Sequence, residues 1–248
     1  MLHGPERCGE EKSHMPTRLL ELYADPRRGG SCKGMITRFF IGATLVQIVC
    51  LDLEGVLVPE IWIEVSQRTG IAELSRTTRD EPDYDKLMRG RIEILERHGL
   101  RLADIQGVIA TMAPLDGAEE FLGRLRARFQ VVILSDTFYE FADPLMHRLG
   151  RPTLFCHRLE VCTEGFVRGH RLRMPDQKRA AVNAFRALNF TTVAAGDSYN
   201  DIAMLGAAHA GIFFRPPPGV TEQFPDFLVT QTYADLDDAI SRAVGGHG

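Results

Sequence analysis

Apolar residues come in short unbroken bursts along this chain. Val46–Leu51, Val131–Leu134, Thr192–Ala195 and Gly211–Phe214 are four of them, and Phe227–Val229 is a weaker fifth. Bursts without polar alternation are what strands buried on both faces require. Between them the apolar spacing becomes helical. Phe121, Leu122, Leu125 and Phe129 share one face, behind Asp116-Gly117-Ala118-Glu119, which reads as a capping box. Tyr139–Leu149, Gln177–Leu188, Tyr199–Ala207 and Tyr233–Val244 continue the helical pattern. Strands separated by helices predict a doubly wound parallel sheet of the α/β class.

Two interruptions divide this layout. Between Pro59 and Pro114 the strand bursts stop, and helices are expected over Ile61–Thr69, Tyr84–His98 and Leu102–Met112. Later, Leu159–Cys162 and Val167–Leu172 flank Thr163-Glu164-Gly165, the pattern of a β-hairpin. The expected organisation is an α/β core over 45–59 and 113–248, a helical cap over 60–112, and a hairpin insertion over 158–173. Residues 1–44 mix charge with Gly and Pro and are expected to form a poorly ordered extension.

Composition narrows the function. Of 248 residues, 44% are hydrophobic and 25% charged, enough for one sizeable core. A net charge of −4 without a long basic run argues against nucleic acid as a partner. Cys8, Cys32, Cys50, Cys156 and Cys162 are odd in number and form no C-x-x-C pair, which suits a reducing compartment. The histidines show no zinc spacing, and His157 and His170 read as solvated surface residues on the hairpin. No stretch is long enough to span a bilayer, and Phe39–Leu51 lacks a signal-type cleavage site. A cytoplasmic protein with no membrane partner is the expectation.

The residues just past each strand end carry the chemistry, because open α/β sheets bind ligands there. They are Asp52, Glu54 and Gly55, then Ser135, Asp136 and Thr137, then Gly196-Asp197-Ser198-Tyr199-Asn200-Asp201. Lys178 opens the helix before the last of these strands. Two unpaired carboxylates at a buried strand end cost several kcal/mol unless a cation or substrate meets them. Asp52 can attack phosphorus, and Glu54 can protonate the leaving oxygen and later accept a proton. Ser135 and Lys178 can hold phosphate oxygens. Asp197, Asp52 and a backbone carbonyl form a hard oxygen set suited to Mg²⁺. Asp201 is placed to orient water around that cation, or to cap the helix that follows. Read singly, each signal has a plainer meaning: Ser135 and Asp136 as helix N-caps, Lys178 as a solvated first-turn residue, Trp62, Phe138, Tyr139 and Phe141 as packing.

In order, Asp52-Leu53-Glu54-Gly55-Val56, Ser135, Lys178 and Gly196-Asp197-Ser198-Tyr199-Asn200-Asp201 resemble the four motifs of the haloacid dehalogenase superfamily of phosphotransferases. The helical insertion and the hairpin resemble its phosphoserine phosphatase family. Cys50–Glu60, Ile133–Phe141 and Ala194–Asp201 resemble most closely a subgroup that both hydrolyses phosphoserine and passes the phosphoryl group to homoserine. The resemblance runs from Val46 to the last helix. It implies Asp52 as nucleophile, Glu54 as general acid/base and, through its backbone carbonyl, a metal ligand alongside Asp52 and Asp197. It implies Ser135 and Lys178 on phosphate, with Asn200 and Asp136 also among the substrate-binding residues. It also implies that Glu60 and Arg91 read the ammonium and carboxylate of phosphoserine, with Arg89 a nearby rival for Arg91. Most of the family has Asp where this chain has Glu54. A homodimer is left open. The competing readings are a phosphatase of another small ester, a phospho-receiver domain and an inactive binding domain. The receiver reading suffers because Lys178 precedes the last acidic motif.

Overall fold

The computed structural model describes residues 46–245 apart from positions 79 and 82. The extension expected over 1–44 lies outside the described residues. Seven strands form one sheet in the order β4-β3-β2-β1-β5-β6-β7. They are β1 (Gln47–Leu51), β2 (Gln130–Phe138), β3 (Thr153–Val161), β4 (Val167–Arg171), β5 (Thr191–Gly196), β6 (Ala210–Phe214) and β7 (Leu228–Thr230). Every pairing is parallel except β3 with β4. The sheet is thus the doubly wound α/β architecture that the apolar bursts predict.

Both faces are covered, which explains the unbroken apolar runs. Val49 and Leu51 of β1 join one apolar cluster, while Ile48 and Cys50 join the cluster on the opposite face. The first cluster packs α4 (Ala118–Arg126), α5 (Tyr139–Arg148) and α9 (Tyr233–Gly245) against the sheet. The second packs α6 (Gln177–Ala187), α7 (Ile202–Ala207) and α8 (Pro218–Gln223). Between β1 and α4 the chain is helical, with α1 (Ile61–Thr69), a 3₁₀ turn (Ala72–Ser75), α2 (Tyr84–Arg97) and α3 (Leu102–Ile109). Their buried residues Val65, Leu74, Met88, Leu95 and Ile105 are continuous with the first cluster. Among the described residues, no helix is long and apolar enough to cross a membrane.

Several local expectations are corrected. β2 does not stop at Leu134 but continues through Ser135-Asp136-Thr137 to Phe138, and its register with β3 shifts on the way. Neither Ser135 nor Asp136 caps α5, whose N-cap is Phe138. The hairpin strands form part of the main sheet: β3 begins at Thr153, pairs with β2, and then pairs with β4. His157 and Arg158 interrupt that strand's apolar run, which hides it from a burst pattern. No side-chain capping bond forms at Asp116–Glu119, because the N-cap is Gly117 at φ 85°. A side chain there would also crowd the Tyr233 ring, 3.3 Å from where a Cβ would stand. Residues 199–201 form a 3₁₀ turn ahead of α7. His157 and His170 are not solvated: the first is buried, and the second has a largely covered side chain paired with Asp85 at 2.9 Å.

Candidate active site

β1 sits where the chain changes direction, with β2–β4 laid on one side of it and β5–β7 on the other. Such a switch point opens a crevice at the strand ends. The Asp52 N–H donates to the Ala195 carbonyl at 2.9 Å and ties the ends of β1 and β5 together. Beyond it the chain reverses tightly. Gly55 N–H donates to Val58 O at 2.9 Å, and Leu57 and Val58 N–H both return to Leu53 O. Gly55 takes φ 75°, and a Cβ there would lie 2.4 Å from the Asp197 carboxyl carbon. Only glycine fits the turn and the close approach together.

A cavity of about 360 Å³ opens above this turn. Asp52, Glu54, Ser135, Asp136, Asp197 and Asn200 line its core side. Glu60, Trp62, Thr77, Tyr84 and Arg91 line it from the helical segment. The structure therefore gathers Asp52, Glu54, Glu60, Arg91, Ser135, Asp136, Asp197 and Asn200 at this cavity, with Lys178 against Asp52. Arg89 is directed elsewhere, to a neighbouring groove beside Glu93.

Lys178 is 3% exposed. Its Nζ lies 2.8 Å from Asp201 Oδ1, 3.0 Å from Asp52 Oδ1 and 3.7 Å from Asp136 Oδ2. Burial would lower the lysine pKa, but Asp201, Asp52 and Asp136 outweigh it and hold the ammonium charged. Asp201 is wholly buried, and its other oxygen accepts the N–H groups of Asp197 and Ser198 at 3.0 and 3.1 Å. It forms a capping box with Ser198 and so braces the turn that carries Asp197.

The carboxylates are held at an electrostatic cost. Burial first, then Asp201, push Asp52 well above its usual range; Lys178 offsets part of this, and Asp197 and Asp136 add to it. Glu54 accepts the Ile61 N–H at 2.8 Å, yet burial and the Glu60 carboxylate push it up to about 8. The raised value favours the protonated carboxyl at neutral pH. Burial, Asp201 and Glu60 push Asp197 up to about 7. One oxygen from each of Asp52, Asp197 and Asp201 falls within 4.8 Å of the others. Such hard oxygens, crowded and short of positive charge, fit Mg²⁺. Asp201 is already committed to Lys178 and two N–H groups, so Asp52 and Asp197 are the carboxylates left for direct ligation.

Arg91 lies over Trp62, its guanidinium carbon 4.5 Å from the ring centre, and donates to the Arg76 carbonyl at 2.6 Å. Other functional positions gave little sequence signal. Gln177 Nε2 donates to Ser135 O at 2.5 Å and ties α6 to β2 at that position. The Tyr84 hydroxyl donates to Asp136 O at 2.8 Å, joining α2 to β2. Gln177 stands beside Lys178 and could have been suspected from that; Tyr84 depends on tertiary packing alone.

Comparison with known proteins gives a consistent family. The haloacid dehalogenase-like hydrolase profile matches residues 46–209. Phosphoserine phosphatase ThrH of Pseudomonas aeruginosa is 59% identical over 198 residues, covering 80% of this chain and 97% of its own. A phosphoserine phosphatase of Pseudomonas syringae pv. tomato is 56% identical over 203 residues, 82% of this chain and 86% of that one. The crystal structure of phosphoserine phosphatase from T. onnurineus superposes with a TM-score of 0.59 at 25% identity, over 79% of this chain and 95% of that one. The chain belongs to the haloacid dehalogenase-like hydrolases, within their phosphoserine phosphatase branch.

Proposed function

We propose that the protein is a Mg²⁺-dependent phosphoserine phosphatase that works through a phosphoryl group carried on Asp52, and that homoserine can replace water as the acceptor. One observation carries this reading. A buried Asp52, 3.0 Å from Lys178, floors the same cavity that Glu60 and Arg91 line from the helical segment. A phosphate at one end and an amino acid at the other suit that pairing of charges. The names of the relatives at 59% and 56% identity support the substrate.

The chemistry follows from the groups present. Leu53 N–H and Lys178 both contact Asp52 Oδ1, so attack on phosphorus falls to Oδ2. The serine oxygen departs with the proton of Glu54, leaving an aspartyl phosphate and an ionised Glu54. Glu54 then takes a proton from water or from the homoserine hydroxyl, whose oxygen attacks the phosphorus and frees Asp52. Lys178 and Ser135 hold the phosphoryl oxygens and Asn200 contacts the substrate. Arg91 takes the carboxylate and Glu60 the ammonium. Asp52, Asp197 and the Glu54 carbonyl would hold Mg²⁺, which supplies charge neutralisation at the phosphoryl group. The helical segment over 60–112 acts as the lid of the site.

Phosphate release from phosphoserine, in Mg²⁺ and in chelator, with and without homoserine, tests the reading. Turnover that needs Mg²⁺ and yields phosphohomoserine when homoserine is present is expected; no release from phosphoserine overturns it. Glu54→Asp draws the carboxyl back by about one ångström, a misplacement that can cost ~10²-fold in rate. The transfer-to-hydrolysis ratio should shift with it, because an alcohol and a water do not place their oxygens alike. An unchanged ratio would show that Glu54 does not select the acceptor.

A further inference from the structure

His157 takes no part in the steps above, yet it is 4% exposed and stands beside the site. It lies on β3 opposite Phe138, just past the register shift that re-aims β2 through Ser135-Asp136-Thr137. Its Nδ1 accepts the Arg173 N–H at 3.1 Å. A ring nitrogen that accepts a hydrogen bond carries no proton, so the neutral imidazole bears its hydrogen on Nε2. Nε2 lies 3.6 Å from Asp136 Oδ1, and the Gln177 amide reaches that same oxygen at 3.5 Å. The other oxygen, Oδ2, accepts from Asn200 Nδ2 at 3.1 Å and stands 3.7 Å from Lys178 Nζ.

Asp136 is therefore a carboxylate with two distinct sides, one braced by β3 and α6, the other turned toward the groups that would hold phosphate. Burial alone would raise its carboxyl; Lys178, His157 and Asn200 outweigh burial and hold it well below the usual carboxylate range. A charged carboxylate beside a phosphate-binding lysine is a liability, since it repels the phosphate and competes for the ammonium. Donors on Oδ1 counter this by drawing charge away from the cavity and fixing the rotation of the group. At 3.6 Å the His157 contact is longer than a hydrogen bond, and contacts of this kind commonly tighten when a site is loaded.

We propose that His157 is a positioning residue for phosphate binding: its Nε2–H anchors Asp136 through Oδ1 and thereby sets Asn200 and Lys178 toward the phosphoryl group. The proposal rests on the phosphatase reading for the role of Lys178, but not on the identity of the substrate. The test is the affinity of the intact protein for inorganic phosphate, measured by calorimetry in Mg²⁺, with thermal midpoints recorded for every variant. His157→Leu should weaken phosphate roughly tenfold or more, the scale of one hydrogen bond to a charged group. His157→Gln keeps an N–H near the Nε2 position and should restore affinity. In an Asp136→Asn background the leucine substitution should have little further effect, since the anchored charge is gone.

Unchanged affinity in His157→Leu overturns the proposal. So does an equal loss in the Asp136→Asn background, or failure of glutamine to rescue a variant that still melts cooperatively, because either marks a packing effect. Phosphate binding by the wild type without phosphoserine turnover would refute the substrate reading and leave this one standing. Absence of phosphate binding would refute both.

Discussion

Asp52→Asn should remove phosphoserine turnover, by roughly 10⁴-fold or more as for other nucleophile deletions, and at the same time should raise the melting temperature of the metal-free protein. The two effects have one cause. Asp52 is buried among Asp201, Asp197 and Asp136, and Lys178 answers only part of that charge. Its folded pKa lies above the unfolded value. The stability that goes with its proton is therefore complete below about pH 4 and is lost as pH rises through the folded pKa. As pH rises the metal-free enzyme carries a growing share of this penalty, and an uncharged asparagine of the same shape does not. In chelator, the wild-type midpoint should fall as pH rises from about 4 toward 8, and the slope should be shallower in Asp52→Asn, which melts a few degrees higher at the top of the range. Acid quenching with labelled phosphoserine should trap an acyl phosphate on the wild type and none on the variant. Activity surviving in Asp52→Asn would sink the nucleophile assignment. A lower midpoint in chelator would mean that Asp52 is a net stabiliser, contrary to the charge arrangement.

The sheet was legible because its strands are buried on both faces, so β1, β2, β5 and β6 appear as unbroken apolar runs needing no context. β3 escaped because it serves two partners at once. Its first half lies in the parallel sheet, its second half in a hairpin, and His157-Arg158 at the junction breaks the apolar run. The acidic residues were legible as costly groups at strand ends, where Asp52, Glu54 and Asp197 have few structural reasons to stand together. Lys178 was harder: a lysine in a first helical turn is ordinarily solvated, and only tertiary packing shows it 3% exposed between two carboxylates. Asp201 looked like an outlying residue or a cap. Its side chain does not cap the helix that follows; it braces the preceding 3₁₀ turn through one oxygen and lies 2.8 Å from Lys178 through the other. Glu60 and Arg91 could be named only through family resemblance. Nothing in the spacing of Glu60 and Arg91 announces that a helix start and a mid-helix arginine will face the same cavity. His157 and Tyr84 lay beyond reach, since their roles depend on which strand and which helix pack beside β2.

Lys178→Met should act in the opposite direction to Asp52→Asn on stability while also abolishing turnover. The methionine fills most of the lysine volume but leaves Asp201 and Asp52 without the ammonium that lies 2.8 and 3.0 Å from them. Breaking a buried ion pair from one side costs about 3–5 kcal/mol, because the remaining charge stays buried without compensation. For a domain of this size that is on the order of 10 °C in melting temperature. Asp201 bears the larger share, being wholly buried, whereas Asp52 can take up a proton as its surroundings already favour. Two second changes should each recover part of the loss. Asp52→Asn in the same chain removes one of the stranded charges, so the double variant should be more stable than the sum of the separate effects predicts. Added Mg²⁺ should raise the midpoint of Lys178→Met more than that of the wild type, since a cation near Asp52 and Asp197 replaces part of the missing positive charge. Neither change should restore turnover if Lys178 holds the phosphoryl oxygens as proposed, because neither returns its ammonium to the cavity floor. A Lys178→Met protein as stable as the wild type would show that the carboxylates around it do not need its ammonium. The charge balance assigned to the floor of this cavity would then be wrong.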